Sequence, residues 1–446
     1  MFVAATPGFL RAYWVRLEAS PLGYRLARGT FWGLTGGMIS RLLTVLASII
    51  VARVLGKQGF GEFGIIQSTV AMFAVFAGFG MGMTSTKYVA EFRQRDPRKA
   101  GRIIGLSEAI AWSLGIVIAI TIFSTATRLA RALGAPQLSD VLRVGSLLLL
   151  FTAINGAQMG VLAGFESFKK MALVNLVSGL AAFPLVVAGA IWGGLKGTVW
   201  GLVTSSLVNC IMTQVALHGE AVKAGVRLGF RGCLDEWRVL YQFSLPLLIA
   251  NLMVAPVNWV CSAVLFKQPD GNAEMGAFTA ANQWFTALLF LPTLLGQSVL
   301  PMLSERLGAS DHRRSFKLLK LSIGLNSLLV VPIVLLGFAS PLIMTWYGEG
   351  FSSDWLTFCI VLLTAGLLAV QMPVGQIIIA SGRIWLGLFM NIGWALVYLF
   401  GTWLWVGHGA AGVAAARLTA YVAHALWTFW FALSILRGES GSVRHD

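Results

Sequence analysis

Two arginines lie inside apolar runs long enough to cross a lipid bilayer, Arg41 in the first such run and Arg417 in the last. An unpaired cation at mid-membrane costs about 3 kcal/mol on insertion scales, so its presence points to a partner, an ion path or an anionic ligand. On a helix, Arg41 shares a face with Gly33, Gly37, Thr44, Ser48 and Ala52, while Ile39, Leu43, Leu46 and Ile50 take the opposite face. Arg41 and Ser48 are therefore expected to look into the protein, and the aliphatic stripe toward lipid. Arg417 shares its face with Tyr421, His424 and Thr428 and lies nearer a helix end, where snorkelling competes with an interior role. For both arginines a structural role stays open, as a cation bonded to helix carbonyls or paired across a bundle.

Amides inside the other apolar runs are Gln67, Asn155 with Gln158, Asn251 with Asn258, Asn282 with Gln283, and Gln371 with Gln376. An amide at that depth either tethers two helices or presents hydrogen bonds to the hydroxyls and phosphates of a ligand. Asn282, Gln283, Trp284 and Thr286 form the densest cluster, within about one helical turn. The candidate substrate-binding set is therefore Arg41, Ser48, Gln67, Asn282, Gln283 and Arg417. All of these are hydrogen-bonding or cationic groups, suited to an anionic, hydroxyl-rich ligand.

Other chemistries find no support. Carboxylates are scarce within the apolar runs: Glu108, Glu62 and Glu274 all fall near run ends, so ion coupling through a mid-membrane acid has little basis. Gly59-Phe-Gly-Glu-Phe-Gly64 matches GxGxxG by letter but follows a membrane helix rather than a strand, which fails the context a dinucleotide site needs. There is no GxxxxGK[ST] and no GxSxG. The four cysteines (Cys210, Cys233, Cys261, Cys359) and five histidines are scattered without metal-ligand spacing. No catalytic residue, metal or cofactor is expected.

The elements that must position these groups are membrane helices. Of the 446 residues, 57% are hydrophobic and 11% charged, against about 25% charged in soluble domains, and the mean hydropathy is +0.78. Twelve spans are predicted, at 30–53, 62–86, 103–127, 140–164, 171–192, 196–217, 241–266, 274–300, 319–345, 355–380, 385–406 and 409–436, each close to the roughly 20 residues that cross the hydrocarbon core. The 33 basic residues fall unevenly between them: 24 lie in alternate gaps and the termini, seven in the opposite gaps, and Arg41 and Arg417 in neither. That asymmetry predicts both termini in the cytoplasm. A net charge of +15 placed beside apolar spans expects anionic lipids, not nucleic acid, as its partner.

The domain reading follows: a cytoplasmic amphipathic segment 1–29, a first lobe 30–217, a cytoplasmic linker 218–240, a second lobe 241–436 and a tail 437–446. The lobes carry faint internal similarity at offsets of 212 to 216 residues, with Glu62-Phe-Gly64 matching Glu274-Met-Gly276 and Asn175 matching Asn391. Both lobes start from the same side, so the repeat would be parallel, about an axis along the membrane normal. Prolines at Pro246, Pro256, Pro292, Pro332 and Pro373 fall within predicted spans of the second lobe, against Pro184 alone in the first, so the second lobe should hold the more broken helices.

The segment from Leu55 to Phe92 (LGKQGFGEFGIIQSTVAMFAVFAGFGMGMTSTKYVAEF) resembles the most recognisable block of the polysaccharide and oligosaccharide flippases of the multidrug/oligosaccharidyl-lipid/polysaccharide exporter superfamily. Phe243 to Val260, Ala280 to Glu305 and Tyr347 to Phe351 extend the resemblance over most of the chain. It implies an all-α membrane protein of twelve helices, in two six-helix lobes around a central cavity. It further implies transfer of undecaprenyl-pyrophosphate-linked oligosaccharides across a bacterial inner membrane by alternating access, for O-antigen or another surface polysaccharide, with polymerase machinery as a candidate partner. Arg41 corresponds in position to a first-helix arginine of related lipid-linked precursor flippases. A multidrug or cation antiporter of the same superfamily and a membrane polysaccharide polymerase are the competing readings. Against the first stands the lack of mid-membrane carboxylates, and against the second the lack of a large extracytoplasmic loop.

Overall fold

The computed structural model describes residues 21–296, 299, 312–380 and 384–436, and these are helical almost throughout. The expected amphipathic segment as far as residue 20 and the tail 437–446 lie outside the described residues. In the first half of the chain the helices are α1 (Pro21–Gly78), α2 (Met81–Phe92), α3 (Pro97–Ala132), α4 (Ser139–Gly164) and α5 (Phe168–Lys223). In the second half they are α6 (Leu245–Asn251), α7 (Val254–Phe266), α8 (Gly271–Leu288), α9 (His312–Phe338), α10 (Ser340–Tyr347), α11 (Trp355–Ala380), α12 (Ile384–Trp405) and α13 (Gly409–Leu436).

Eight helical stretches among the described residues are long and apolar enough to cross a membrane. Three of them, at 57, 56 and 49 residues, exceed twice the crossing length. Each of the three reverses direction. In α5 a Cβ added at Gly189 would collide with the carbonyl of Gly197, and one at Gly201 with that of Leu185, so the arms on either side of Gly194 run antiparallel in contact. Gly401 meets Ala416, and Gly412 meets Trp405, around the turn at Gly409. In α1 the turn is made at Gly56, with φ 70° and ψ 173° inside an otherwise helical run. Only glycine takes such an angle without steric cost. The predicted loop at 54–61 is thus a single non-helical residue joining two arms.

Proline sets the breaks in the second half. Leu252 and Met253 interrupt the helix before Pro256, and Leu289 interrupts it before Pro292. In each case the ring removes the N–H that would have bonded a carbonyl four residues earlier. Pro341 sits in the first turn of α10, just after a break at Ala339. Helix starts are capped where charge allows: the Asp96 carboxylate accepts from the Lys99 backbone N–H at 3.0 Å, and Glu274 accepts from that of Ala410 at 2.6 Å.

The two halves share one large core at the Gly56 end, joining Val51, Phe60 and Phe63 to Tyr347, Phe351 and Phe358. Its spine is the second arm of α1 against α8. Gly61 packs on the Asn272 carbonyl, Gly64 on the Thr279 hydroxyl, and Gln283 donates to Gln67 at 3.3 Å. Successive turns of one helix meet successive turns of the other, so the two run side by side in the same direction. Two of the three glycines that spell GxGxxG, Gly61 and Gly64, form this packing face, where a missing Cβ lets the helices approach.

Candidate functional site

Beyond that tight contact the seam between the halves opens into a cavity of about 370 Å³. The second arm of α1 contributes Gln67 and Ser68, α7 Asn258 and Ser262, α8 Thr279, Asn282, Gln283 and Thr286, and α13 Arg417. Four of the six sequence-derived candidates, Gln67, Asn282, Gln283 and Arg417, thus meet in one place. Ser48 faces an adjoining recess of about 90 Å³ that also touches Gln67 and Gln283. Arg41 lines neither: it is exposed, with its guanidinium 5.8 Å from the centre of the Phe290 ring.

Arg417 is 3% exposed. Its Nη1 donates to the Asn282 side-chain oxygen at 2.9 Å, and its guanidinium carbon lies 5.1 Å and 4.4 Å from the ring centres of Phe278 and Phe285. All three partners are on α8, at positions four and three residues apart, which is one face of a helix. The rings attract the cation through their negative faces without neutralising it. Nε and Nη2 have no hydrogen-bond partner, and among the described residues no carboxylate pairs with Arg417. Nε and Nη2 are the adjacent nitrogens that present two parallel N–H groups to a planar or tetrahedral oxyanion. A buried cation anchored at one nitrogen, with two further nitrogens buried and unpartnered beside a polar cavity, makes Arg417 the candidate anion-binding group of that cavity.

The amides divide between the two roles open to them. Asn155 donates to Thr213 at 3.0 Å, Gln158 to Gln214 at 2.6 Å, and Gln371 bonds His424 and Thr428, so these tether helices within one half. Asn258 spends its amide nitrogen on the Val254 carbonyl at 2.7 Å and keeps its place in the cavity wall. Glu62 accepts from Gln137 and Glu274 caps α13, so both acids near the Gly56 end serve the scaffold.

The cavity is closed toward the Gly56 end by residues that helical spacing did not single out. Tyr347, fully buried, takes a hydrogen bond from Trp284 Nε1 at 3.0 Å and shares one with Ser48 at 3.3 Å. Lys57 and Asp354 form an ion pair across the halves at 2.7 Å, with side chains 19% and 12% exposed. Arg53 Nε donates to the Trp346 carbonyl at 2.6 Å. The only sequence signal for Tyr347 was its place in the block Tyr347 to Phe351, and pairing of Lys57 with a residue nearly 300 positions away had none.

The profile of a family described as "Polysaccharide biosynthesis protein" matches residues 26–306. Among curated proteins, the chain is 25% identical over 420 residues to the EPS I polysaccharide export inner membrane protein EpsE of Ralstonia nicotianae, covering 92% of this chain and 93% of the relative. It is 22% identical over 411 residues to the Lipid III flippase of Escherichia coli, covering 90% and 96%. Among solved structures, the inward-facing conformation of a multidrug resistance MATE family transporter of the MOP superfamily superposes with a TM-score of 0.75 over 93% of this chain and all of the other, at 14% identity. A MOP superfamily transporter from Pyrococcus furiosus gives 0.70 over 93% and 96%, at 16% identity. The chain has the all-α polytopic membrane fold of these transporters.

Proposed function

Because the chain belongs to the polysaccharide biosynthesis protein family, a family of transporters and not of enzymes, we propose that it flips polyprenyl-pyrophosphate-linked oligosaccharides across a bacterial inner membrane. The helices make twelve crossings in two lobes, 30–217 and 241–436, joined by the linker 218–240, and the seam cavity is the substrate's way through by alternating access. Arg417 grips the pyrophosphate with Nε and Nη2, while Asn282, Gln283, Gln67 and Asn258 offer hydrogen bonds to phosphate and sugar. Arg41, exposed and outside the cavity lining, meets the headgroup beside the cavity, and Ser48 acts in the recess beside the Tyr347 gate. The repeat unit is one of O-antigen or a related surface polysaccharide, handed on to polymerase machinery.

The observation that carries this reading is the buried guanidinium beside the cavity, with Nε and Nη2 unpartnered and no carboxylate pairing it among the described residues. A pore for cationic drugs would place the opposite charge there. Asn282→Asp separates the two classes of substrate. A carboxylate where the Asn282 oxygen now accepts from Arg417 at 2.9 Å would occupy the cation and repel an incoming anion, and like charges in contact cost several kcal/mol. Uptake of a fluorescent polyprenyl-pyrophosphate glycan by vesicles holding the variant should fall about tenfold or more. Unchanged flipping, or a gain in transport of organic cations, would sink the proposal.

The 24 basic residues in alternate gaps and termini put both termini in the cytoplasm, so the Gly56 end faces outward. Carrying net negative charge outward across an inside-negative membrane is favoured by about 2.3 kcal/mol per charge per 100 mV. With no carboxylate among the described cavity residues to carry a coupling ion, the potential is the expected drive. Collapsing it in the same vesicles should slow outward flipping severalfold, and indifference to the collapse would remove this source of drive.

A further inference from the structure

The cavity around Arg417 has an apolar continuation. Along the second arm of α1, the cavity residues Ser68 and Ala71 give way one turn later to Ala74, Val75 and Gly78 of a second recess. Along the broken helix α6–α7, Val254 and Asn258 of the cavity give way in the same direction to Leu247 and Leu248. The two spaces therefore follow one another down a single seam between the halves, away from the closed Gly56 end. The second recess holds about 350 Å³, and its far wall is α4 at Gly156. The lone side-chain hydroxyl of its lining, that of Thr152, donates to the Leu148 carbonyl at 2.7 Å, so the lining is mostly apolar and its side chains offer a ligand no free donor. Its wall is opened by a break between α1 and α2, where Phe79 and Gly80 both take left-handed backbone angles of 44° and 69°. A non-glycine residue held there stores strain that the surrounding packing must enforce.

We infer that this groove takes the polyisoprenoid chain of the lipid-linked substrate while its pyrophosphate is held at Arg417, an inference that rests on the function proposed above. Headgroup and chain are one molecule, so a headgroup in the polar cavity draws the first isoprene units in behind it. Each methylene forced into water weakens binding about fourfold. A chain of many methylenes therefore needs an apolar path from cavity to bilayer. The seam groove begins where the polar lining ends, and the bare glycine walls leave width for a methyl-branched chain. A phospholipid acyl tail would have no such link to the anion site.

The test uses the full chain in lipid vesicles and a polyprenyl-pyrophosphate glycan carrying a photoreactive diazirine near the pyrophosphate end of its chain. Irradiation is expected to place adducts on residues 74–83, 152–157 and 247–248. Adducts confined to other surfaces, or labelling abolished equally well by excess phospholipid, would overturn the assignment. Gly156→Leu supplies the second arm. A Cβ at Gly156 meets nothing within 4 Å, and Gly156 lines the groove, so the side chain starts in open space there. Flipping of the long-chain substrate should drop about tenfold or more, while binding of a water-soluble short-chain pyrophosphate glycan stays at the unmodified level. If Gly156→Leu flips normally while Arg417→Met abolishes short-chain binding, the groove assignment fails alone. Short-chain binding indifferent to Arg417 would instead remove the proposed function, and the groove assignment with it.

Discussion

Arg417→Met is expected to abolish transport and at the same time to make the protein harder to unfold. The side chain is 3% exposed and has, among the described residues, one hydrogen bond, two ring contacts and no counter-charge. Replacing a buried charge by an apolar side chain of similar volume is commonly stabilising, by about 1–4 kcal/mol. Methionine also packs well against Phe278 and Phe285. Loss of the two free N–H donors removes two hydrogen bonds to a charged ligand, roughly 1.5–3 kcal/mol each, so flipping should fall about 100-fold or more. Arg417→Lys keeps the charge without the planar fork and should fall in between. The checks are the unfolding midpoint in detergent and the vesicle assay, read on the same preparations. A destabilised but active Arg417→Met protein would mean that the arginine serves the fold and not the substrate. Opposite movement of stability and activity marks a residue kept for function at the expense of folding.

The second large effect is expected at Lys57. Its ion pair with Asp354 is mostly shielded from solvent and joins the two halves at the end where the cavity is shut. Removing one partner of a shielded pair costs about 3–5 kcal/mol because the other is left uncompensated. Lys57→Asp goes further and sets two carboxylates face to face. The closed arrangement should then lose its advantage, at about tenfold in population per 1.4 kcal/mol. Lys57→Asp with Asp354→Lys restores the pair with reversed polarity and should restore closure. The readout is labelling by a membrane-impermeant maleimide of a cysteine placed at Ser48, which is 6% exposed behind Tyr347, in a chain whose four cysteines are replaced. Faster labelling in the single variant and recovery in the double variant are expected. Equal rates in all three would show that the pair plays no part in the closure.

Helical spacing identified the membrane character, the polar positions and the cluster on α8, because period and hydropathy are local properties of the chain. It told which residues share a face, not which face meets which partner. Arg41 has the clearer stripe, yet Arg417 is the one enclosed, and the enclosure comes from Phe278, Asn282 and Phe285, about 135 residues earlier. The spacing of those three on α8 was visible, but its meaning depends on a contact between distant helices. The turns at Gly56 and Gly194 had a similar ambiguity. A glycine at φ near 60° reverses the chain with almost no loop, whereas composition alone reads such a stretch as a connecting segment. Close approach at Gly61 and Gly64 was likewise hidden in a spacing that matches a nucleotide loop by letter.

The clamp on the guanidinium is built entirely from α8 and α13, both in the second half of the chain. A rocking of one half against the other leaves those distances unchanged. For an anion held by that clamp, this one contact is then equally strong with the passage open to either side, and a contact of equal strength in two states shifts the balance between them by nothing. In the proposed function Arg417 would supply affinity without bias. Any preference of the loaded protein for one orientation has to arise where the halves touch each other, at Gln67 with Gln283, Ser48 with Tyr347 and Lys57 with Asp354.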